Sequence, residues 1–553
     1  MENKGPIIVQ GDMTILVEVD HPCYAEVRDK LAPFTELIKS PEHMHTYAIS
    51  PLSLWNAASA GHNSENIISV LNTYSRYPLP LNLISEVKSL MERYGKIRLI
   101  KEGTNICLET DEPDFMMEIL HHRQTKPFLG KQISETKVIV PLLSRGPLKM
   151  ELTKIGFPVE DLAGYTSGDN LSFSLRTKTL ENKKLALRSY QQEAAQIFFA
   201  GGSEKGGSGI VVLPCGSGKT LVGMAAMEKC QCQTVIITTN VVASRQWISE
   251  LLDKTTLTRE QVGEYNGTNK FLRPVTVATY QILTYRKRKS DHFPHFELFQ
   301  KNKWGLIIYD EVHLLPAPLF RLSAEMQATR RLGLTATLIR EDGKQKDVFS
   351  LIGPKKYDIP WKILEEQGWI AKAVCKEIRT PLQSGKKFEY AMAVPREKIT
   401  IAACNPAKTA IVRDLLSLHK DDQVLIIGQY IAQLEKLAEK LSVPLITGAT
   451  KNQMRIKLFQ QFRKNEINIL MVSKVGNFAI DLPDANVLIQ ISGTFGSRQE
   501  EAQRLGRLLR PKSNKSIAKF YSIVTRETRE QEFSMNRQLF LTEQGYQYTI
   551  EDI

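Results

Sequence analysis

Short apolar runs alternate with amphipathic segments in two stretches of the chain, one before and one after residues 375–405. The apolar runs of the first stretch are Thr234–Thr239, Val275–Thr279, Leu306–Tyr309 and Arg331–Thr335. Those of the second stretch are Gln423–Gly428, Pro444–Gly448, Ile467–Ser473 and Ala485–Ser492. Segments with a helical pattern, such as Ile431–Ser442 and Gln453–Lys464, separate the runs. Because strands that alternate with helices form parallel sheets covered on both faces, the pattern predicts two α/β lobes.

The N-terminal third of the chain has a different pattern. "TILVEVD" is strand-like, whereas "YAEVRDKLAPFTELI" and "NLISEVKSLMERYG" are amphipathic and helical. We therefore expect an α+β accessory domain, which ends in a polar linker at Ala163–Lys184. The predicted domains are an accessory domain with its linker (1–180), a first lobe (181–375), a short insertion (376–405) and a second lobe (406–553).

The stretch "LPCGSGKT" resembles a phosphate-binding loop that lacks its first glycine. It follows the apolar run Gly209–Val212 and precedes a segment of good helix formers. A strand, a glycine turn and a helix N-terminus would direct backbone amides at phosphates. Lys219 would then contact the β- and γ-phosphates, and the Thr220 hydroxyl would bind Mg²⁺. The alternative is a tight strand-to-helix turn without a ligand. The predicted nucleotide-binding residues of this loop are Pro214, Gly216, Ser217, Gly218, Lys219 and Thr220.

Two adjacent acids follow a buried strand in "WGLIIYDEVHLLP". An acid at the end of such a strand is where phosphate-loop enzymes hold magnesium. We expect Asp310 to bind the metal ion and Glu311 to orient and deprotonate the attacking water. The two motifs together favour an enzyme that hydrolyses a nucleotide with Mg²⁺ over a capped strand end.

Three arginines recur at every third position in "EEAQRLGRLLRP" near the end of the second stretch. Arg504, Arg507 and Arg510 would fall near one face of a helix, where they repel one another unless an anion neutralises them. Arg507 and Arg510 are therefore candidate arginine fingers, which stabilise charge on a transferring γ-phosphoryl group. Gly506, which costs a helix about 1 kcal/mol relative to alanine, favours a close approach at this point. A solvated helix face is the alternative.

The composition bounds the partners and the location. Net charge is +13 and the isoelectric point is near 9.2, which suits a polyanionic partner. No apolar stretch is long enough to span a bilayer, and the N-terminus lacks the apolar core of a signal peptide. We expect a cytoplasmic protein without a membrane partner. The seven cysteines lack the spacing of a zinc site, so no zinc is predicted.

The order "LPCGSGKT", "DEVH", "TAT", "QRLGRLLR" resembles the motif series of superfamily 2 helicases. The triplet "RED" directly after "TAT", and "SKVGNFAIDLPDANVLIQIS", resemble the XPB family more closely. "VEVDHP", "SPEHMHTY" and "SRYP" resemble the N-terminal domain of its prokaryotic members. The resemblance covers nearly the whole chain. One departure concerns "GNFAIDLP", where Asn477 and Ala479 replace an acid and a hydroxyl that the family pattern contains.

The resemblance implies two RecA-like motor lobes and roles for further residues. Gln191 would contact the adenine of ATP, and Thr335 and Thr337 would link the ATP state to the nucleic-acid track. The triplet Arg340, Glu341 and Asp342 would couple closure of the lobes to strand separation, although a solvated loop with a local ion pair is the plain alternative. A thumb-like insertion would lie near Thr380–Lys398.

The sequence thus predicts an ATP-dependent DNA helicase or translocase. As the resemblance implies, it would move 3'-5' and open duplex DNA in excision-type repair, acting as a monomer on junctions of single-stranded and duplex DNA. Two alternatives remain open at this point. The chain could be an RNA helicase, or an ATP-gated DNA-binding scaffold that recruits a separate nuclease. "YRKRKS", Tyr285–Ser290, is a possible phosphate contact or a solvated loop.

Overall fold

A computed structural model describes residues 5–41, 43–214, 216–288, 293–295, 302–316, 319–320, 323–324, 326, 329–337, 345–473, 485–493 and 517–553. The chain divides into two compact units. The first unit comprises Met1–Glu36, Thr46–Leu213 and Gly218–Asp358. The second comprises Ile359–Ile553 together with the short segments Leu37–His45 and Pro214–Ser217. No helix in the part of the chain that the structure describes is both long and apolar enough to cross a membrane.

The N-terminal region is built from short strands and helices. Its strands are β1 (Ile7–Val9), β2 (Thr14–Glu18), β3 (Glu36–Lys39), β4 (Met44–Ala48), β5 (Ile97–Glu102), β6 (Asn105–Thr110), β7 (Gln132–Ser134), β8 (Lys137–Val140) and β9 (Val159–Leu162). Its helices are Tyr24–Leu31, Pro51–Ser59, Ser64–Tyr74, Leu81–Arg93, Pro113–His121 and Arg145–Lys154. The last five strands form a sheet of order β7-β8-β6-β5-β9, antiparallel except for the parallel pair β5 and β9. This mixed architecture confirms the α+β class of the region.

The segment that follows the N-terminal region is held along the first lobe by backbone hydrogen bonds. The Leu175 amide donates to Glu228 Oε1 over 2.7 Å, and the Leu180 amide donates to Asp253 Oδ1 over 2.9 Å. Leu171 is buried. The stretch predicted as a polar linker is therefore anchored along most of its length, because its backbone groups find acceptors on two helices of the lobe.

The first lobe contains a seven-stranded parallel sheet of order β12-β13-β11-β14-β15-β10-β16. Its strands are β10 (Ser208–Val212), β11 (Thr234–Thr238), β12 (Val262–Tyr265), β13 (Val275–Thr279), β14 (Leu306–Asp310), β15 (Arg330–Thr335) and β16 (Lys355–Asp358). Its described helices are Ser189–Phe199, Lys219–Cys230, Val241–Lys254, Tyr280–Leu283 and Gln345–Leu351. Every residue of β11 and β13 is buried, as expected where helices cover both faces of a parallel sheet.

The second lobe contains another seven-stranded parallel sheet, of order β19-β20-β18-β21-β22-β17-β23. Its strands are β17 (Ala373–Thr380), β18 (Val424–Gly428), β19 (Leu445–Ile446), β20 (Ile469–Ser473), β21 (Val487–Gln490), β22 (Ala518–Thr525) and β23 (Tyr548–Asp552). The described helices of the second unit are Trp361–Glu366, Ser384–Met392, Pro395–Ala403, Lys408–Leu418, Ile431–Leu441, Asn452–Arg463 and Arg529–Glu543. Two parallel-sheet lobes confirm the predicted α/β fold class.

The stretch predicted as a thumb-like insertion contains the end of β17 and the helix pair Ser384–Met392 and Pro395–Ala403. Phe388 and Met392, one helical turn apart, are 78% and 74% exposed. The helix pair therefore presents apolar side chains to solvent, although it lies directly beside a strand of the second sheet in sequence.

Candidate active site

Three neighbouring strands of the first sheet end where the sequence motifs begin. β15 lies between β10 and β14, with Val212 paired to Thr335 and Leu334 paired to Asp310. The ladder continues one residue further, because the Leu213 amide donates to the Thr335 carbonyl oxygen over 2.9 Å. Since parallel strands end at the same edge of a sheet, Leu213 at the start of the phosphate loop lies at the same edge as "DEVH" and "TAT". Ligands of open α/β sheets bind at such carboxyl ends.

The phosphate loop depends on glycine at Gly218. This residue has φ 84° and ψ 41°, and the helix that begins at Lys219 follows it directly. A Cβ atom at Gly218 would lie only 2.5 Å from Gln191 Nε2. Both the left-handed backbone and the close amide therefore exclude a side chain. Earlier in the loop, Ser217 Oγ donates to the Pro214 carbonyl oxygen over 2.6 Å, and Gly216 has φ 81°.

Gln191 lies beside the loop, in the first turn of the helix Ser189–Phe199, and is buried. Its Oε1 accepts a hydrogen bond from the Arg188 amide over 2.9 Å, which caps this helix. The side-chain amide group of Gln191 thus lies close both to the start of its own helix and to Gly218, which precedes the helix Lys219–Cys230. Its predicted contact with adenine remains a prediction.

The cation and the two acids of the predicted catalytic set lie together. Lys219 Nζ is 2.9 Å from Glu311 Oε1, and both side chains are mostly buried. Glu311 adopts the left-handed conformation, φ 51° and ψ 55°, where the chain leaves β14. The Asp310 carboxylate accepts a hydrogen bond from Trp247 Nε1 over 2.9 Å. The arrangement unites residues that the sequence separates widely.

The two acids have opposite pKa shifts. Burial and the charge of Glu311 raise the pKa of Asp310 to about 6, against the opposing effects of Lys219 and Trp247. Burial would also raise the pKa of Glu311, but the Lys219 ammonium group and His313 outweigh it and the pKa is lowered. Glu311 is therefore ionised at neutral pH, as a group that accepts a proton from water must be.

A hydrogen-bond network joins "DEVH" to "TAT". His313 Nδ1 lies 2.7 Å from Thr335 Oγ1, and the Thr337 amide donates to the same oxygen over 3.1 Å. Thr335 Oγ1 itself donates to the Thr337 carbonyl oxygen. Since the hydroxyl proton is used there, the network assigns the His313 proton to Nδ1. His313 Nδ1 is also 3.4 Å from Glu311 Oε2, so a single imidazole contacts both motifs.

The residues present fit magnesium better than a tightly bound transition metal. Among the described residues, no group of three or more histidine, cysteine, aspartate or glutamate side chains could hold a metal ion. Mg²⁺ takes oxygen ligands and is usually bound by one or two carboxylates plus substrate phosphates. Asp310 and Thr220 offer such oxygens, and Glu311 Oε2 is buried without a hydrogen bond from the described residues. The donor set suits a metal that arrives with phosphates.

Other predicted site residues lie outside the described residues. They are Arg340, Glu341 and Asp342 of the "RED" triplet, the three arginines Arg504, Arg507 and Arg510, and the whole of the "GNFAIDLP" stretch. Their roles remain predictions. The sequence reasoning in turn missed Trp247 and Tyr280, whose hydroxyl donates to the Asp310 carbonyl oxygen over 2.7 Å. Both lie on helices whose apolar pattern indicates core packing, so no local signal marks them.

Family models match three parts of the chain. The model described as "ERCC3/RAD25/XPB C-terminal helicase" matches residues 364–552. "Type III restriction enzyme, res subunit" matches residues 184–340, and "Helicase conserved C-terminal domain" matches residues 7–134. Residues 7–134 contain the antiparallel strand pairs β1 with β2 and β5 with β6.

Curated relatives resemble the chain over nearly its full length. The "DNA 3'-5' helicase XPB" of Kineococcus radiotolerans is 51% identical over 549 residues, which cover 99% of this chain and 96% of that protein. The protein of the same name from Mycobacterium tuberculosis is 50% identical, with 99% and 98% covered. The "General transcription and DNA repair factor IIH helicase/translocase subunit XPB/SSL2" of Saccharomyces cerevisiae is 31% identical, with 98% and 71% covered. The chain therefore belongs to the XPB family of superfamily 2 helicases, as its motif series predicted.

Proposed function

We propose that this protein is an ATP-dependent DNA helicase of 3'-5' polarity that opens duplex DNA in excision-type repair. The observation that carries the proposal is the buried cation and acid pair at the sheet edge, Lys219 with Glu311 and Asp310. The relatives named DNA 3'-5' helicase support DNA as the substrate and the direction of movement. The repair role is supported by the name of the yeast relative.

The side chains of the site suit the hydrolysis of ATP. Lys219 would exchange Glu311 for phosphate oxygens when ATP binds, because its ammonium group is the cation of the phosphate loop. Glu311, released from the ion pair, would orient the attacking water and accept its proton. Asp310 and Thr220 would hold Mg²⁺, which neutralises charge on the phosphate oxygens.

The network through His313 offers a route from hydrolysis to movement. When Glu311 changes partners, His313 and Thr335 lie next in the same set of contacts. The chain reaches the "RED" triplet a few residues after Thr337. We propose that this path links the ATP state to strand separation, with the triplet as the coupling element.

A comparison of nucleic-acid cofactors tests the proposal. The ATPase rate would be measured with single-stranded DNA, duplex DNA and RNA, and unwinding with duplexes that carry a 3' or a 5' tail. We expect stimulation by DNA over RNA and unwinding from the 3' tail. Lys219→Ala, which removes the phosphate-binding cation, should abolish both activities and is the control for a contaminating ATPase.

The alternatives predict other results. Stimulation by RNA alone would favour an RNA helicase, and ATP hydrolysis without unwinding of either tailed duplex would favour an ATP-gated scaffold. The nuclease partner, the monomeric state and the cytoplasmic location remain predictions from the sequence.

A further inference from the structure

Trp247 connects a helix of the first lobe to the acid that ends β14. The residue lies on the helix Val241–Lys254 and is 3% exposed. Its indole nitrogen donates to Asp310 Oδ2 over 2.9 Å. A buried tryptophan needs an acceptor for its N–H group, but a backbone carbonyl would serve equally well. Here the acceptor is the predicted magnesium ligand.

Close packing sets the position of the indole ring. A Cβ atom at Gly223 would lie 2.7 Å from Trp247 Cη2. Gly223 belongs to the helix Lys219–Cys230, which begins with the phosphate-loop lysine. The ring therefore lies against the helix that carries Lys219 and bonds to the strand that carries Asp310. A rigid aromatic side chain can hold these two elements in a fixed relation.

Tyr280 forms a hydrogen bond with the main chain of Asp310. It is 3% exposed and begins the helix Tyr280–Leu283. Its hydroxyl donates to the main-chain oxygen of Asp310 over 2.7 Å, immediately before the left-handed turn at Glu311. The carboxylate and the carbonyl group of Asp310 are thus each fixed by a different buried aromatic residue.

We propose that Trp247 and Tyr280 are positioning residues that orient the Asp310 carboxylate for Mg²⁺. The inference rests on the proposed role of Asp310 as a metal ligand. A carboxylate has two oxygens with about four lone-pair sites, so a hydrogen bond to Oδ2 restricts the rotation of the group while lone pairs remain for a cation. Hydrogen-bond partners of metal ligands commonly account for about 10–100-fold of metal affinity. Neither aromatic residue touches the reacting atoms.

Conservative variants separate positioning from packing. Trp247→Phe removes the N–H donor but keeps an aromatic ring, and Tyr280→Phe removes only the hydroxyl group. Trp304→Phe, a buried tryptophan in the core of the same lobe, is the matched control. Binding of Mn²⁺ would be measured by electron paramagnetic resonance with a non-hydrolysable ATP analogue present. Affinity for the analogue alone would be measured in EDTA.

We expect Trp247→Phe to weaken Mn²⁺ binding by about 10–100-fold, with a smaller loss for Tyr280→Phe. Analogue affinity in EDTA should be unchanged for both, and high Mg²⁺ should restore most of the ATPase rate. Trp304→Phe should bind Mn²⁺ like the unmodified protein. If Trp247→Phe does not fold, Tyr280→Phe decides the question by the same measurement.

The variant Asp310→Asn tests whether Asp310 itself binds the metal ion, separately from whether Trp247 and Tyr280 orient it. Weak Mn²⁺ binding by Asp310→Asn but normal binding by both aromatic variants would overturn the positioning role and leave the site intact. Normal Mn²⁺ binding by Asp310→Asn would instead remove Asp310 from the metal site, and the inference with it.

Discussion

Glu311 has the least ordinary backbone of the site residues. It adopts φ 51° and ψ 55°, a region that costs an L-residue with a side chain about 1–2 kcal/mol. Its ion pair with Lys219 and the Tyr280 hydrogen bond to the preceding carbonyl oxygen help to hold this conformation. Such strain is retained where a side chain must point in one direction. Here it turns the carboxylate toward Lys219.

Glu311→Gln should bind ATP but hydrolyse it slowly. The amide keeps the volume of the side chain and cannot accept a proton from water, so we expect at least a 100-fold lower rate at saturating ATP, in line with the loss of a general base. Affinity for ATP should be equal or higher, because Lys219 loses a competing anion. Equilibrium binding and single-turnover hydrolysis check this, with the exposed Glu181→Gln as control. Normal turnover would exclude Glu311 as the base.

Arg507→Ala and Arg510→Ala should lower hydrolysis without a large loss of ATP affinity. An arginine finger acts on charge in the transition state and is worth about a thousandfold or more. Both residues lie outside the described part of the chain, so this prediction stands on the motif alone. Kinetics at saturating ATP and DNA test it. Loss of DNA binding with normal hydrolysis would place the arginines on the nucleic-acid track instead.

Among the elements, the helix Arg145–Lys154 joins the N-terminal region to the first lobe. Arg145 makes two hydrogen bonds to Asp161, of 3.0 and 2.7 Å, and Lys149 Nζ lies 2.8 Å from the same carboxylate. All three side chains are almost fully buried. Further along the helix Thr153 and Ser350 are joined over 2.8 Å. The accessory region is thus fixed to the helix that follows the "TAT" motif in sequence.

Arg145, Lys149 and Asp161 form a buried charged cluster. Replacing its members one at a time should change the stability of the protein by unequal amounts. Asp161→Asn leaves Arg145 buried without its counter-ion, and breaking a buried pair in this way typically costs about 3–5 kcal/mol. Lys149→Met should be neutral or stabilising at pH 7, since the Arg145 pair remains. Thermal unfolding measures both, with the exposed Lys183→Met as control. Similar losses for the aspartate and the lysine variants would contradict the account.

The same cluster should make stability depend on pH. Burial lowers the pKa of Lys149 from 10.5 to about 7, so between these values the unfolded chain binds a proton that the folded chain does not. Stability should therefore rise with pH across this window. Burial would raise the pKa of Asp161, but Lys149 and Arg145 lower it, so its contribution is lost only in acid. The unfolding midpoint of Lys149→Met should rise less from pH 7 to 10 than that of the unmodified protein.

At the scale of the whole molecule, we expect the net positive charge to determine how DNA affinity depends on salt concentration. The net charge of +13 supplies an attraction to phosphates that does not depend on base sequence. We expect the logarithm of DNA affinity to fall steeply and linearly with the logarithm of salt concentration, with little preference among unstructured single strands. Lys287→Ala should reduce the slope by about 0.9 if that side chain contacts a phosphate. An unchanged slope would exclude Lys287 as a phosphate contact.

The sequence alone determined the fold class, because the alternation of apolar and amphipathic segments is a local pattern. Its motifs also carried the resemblance that indicated the family. The predicted run Leu306–Tyr309 became β14, Leu306–Asp310, and the run at Pro444–Gly448 contains only the two-residue strand β19. Strands such as β17 and β23 were not predicted, because their sequences contain polar and charged residues and do not have the apolar pattern of a buried strand. Their strand conformation depends on pairing with neighbouring strands of the sheet. From the sequence, Lys219 and Glu311 could each be assigned to the site, but the contact between them could not be predicted.

Tertiary structure decided which residues meet. The contact of Trp247 with Asp310 links positions 63 residues apart, and that of Arg145 with Asp161 bridges a helix and a strand. The anchoring of Leu175 to Glu228 turned an expected linker into a part of the lobe. Each of these contacts depends on the packing of helices against a sheet. Periodicity shows that a side chain faces inward but not which buried group lies opposite, so the partners follow only from the folded chain.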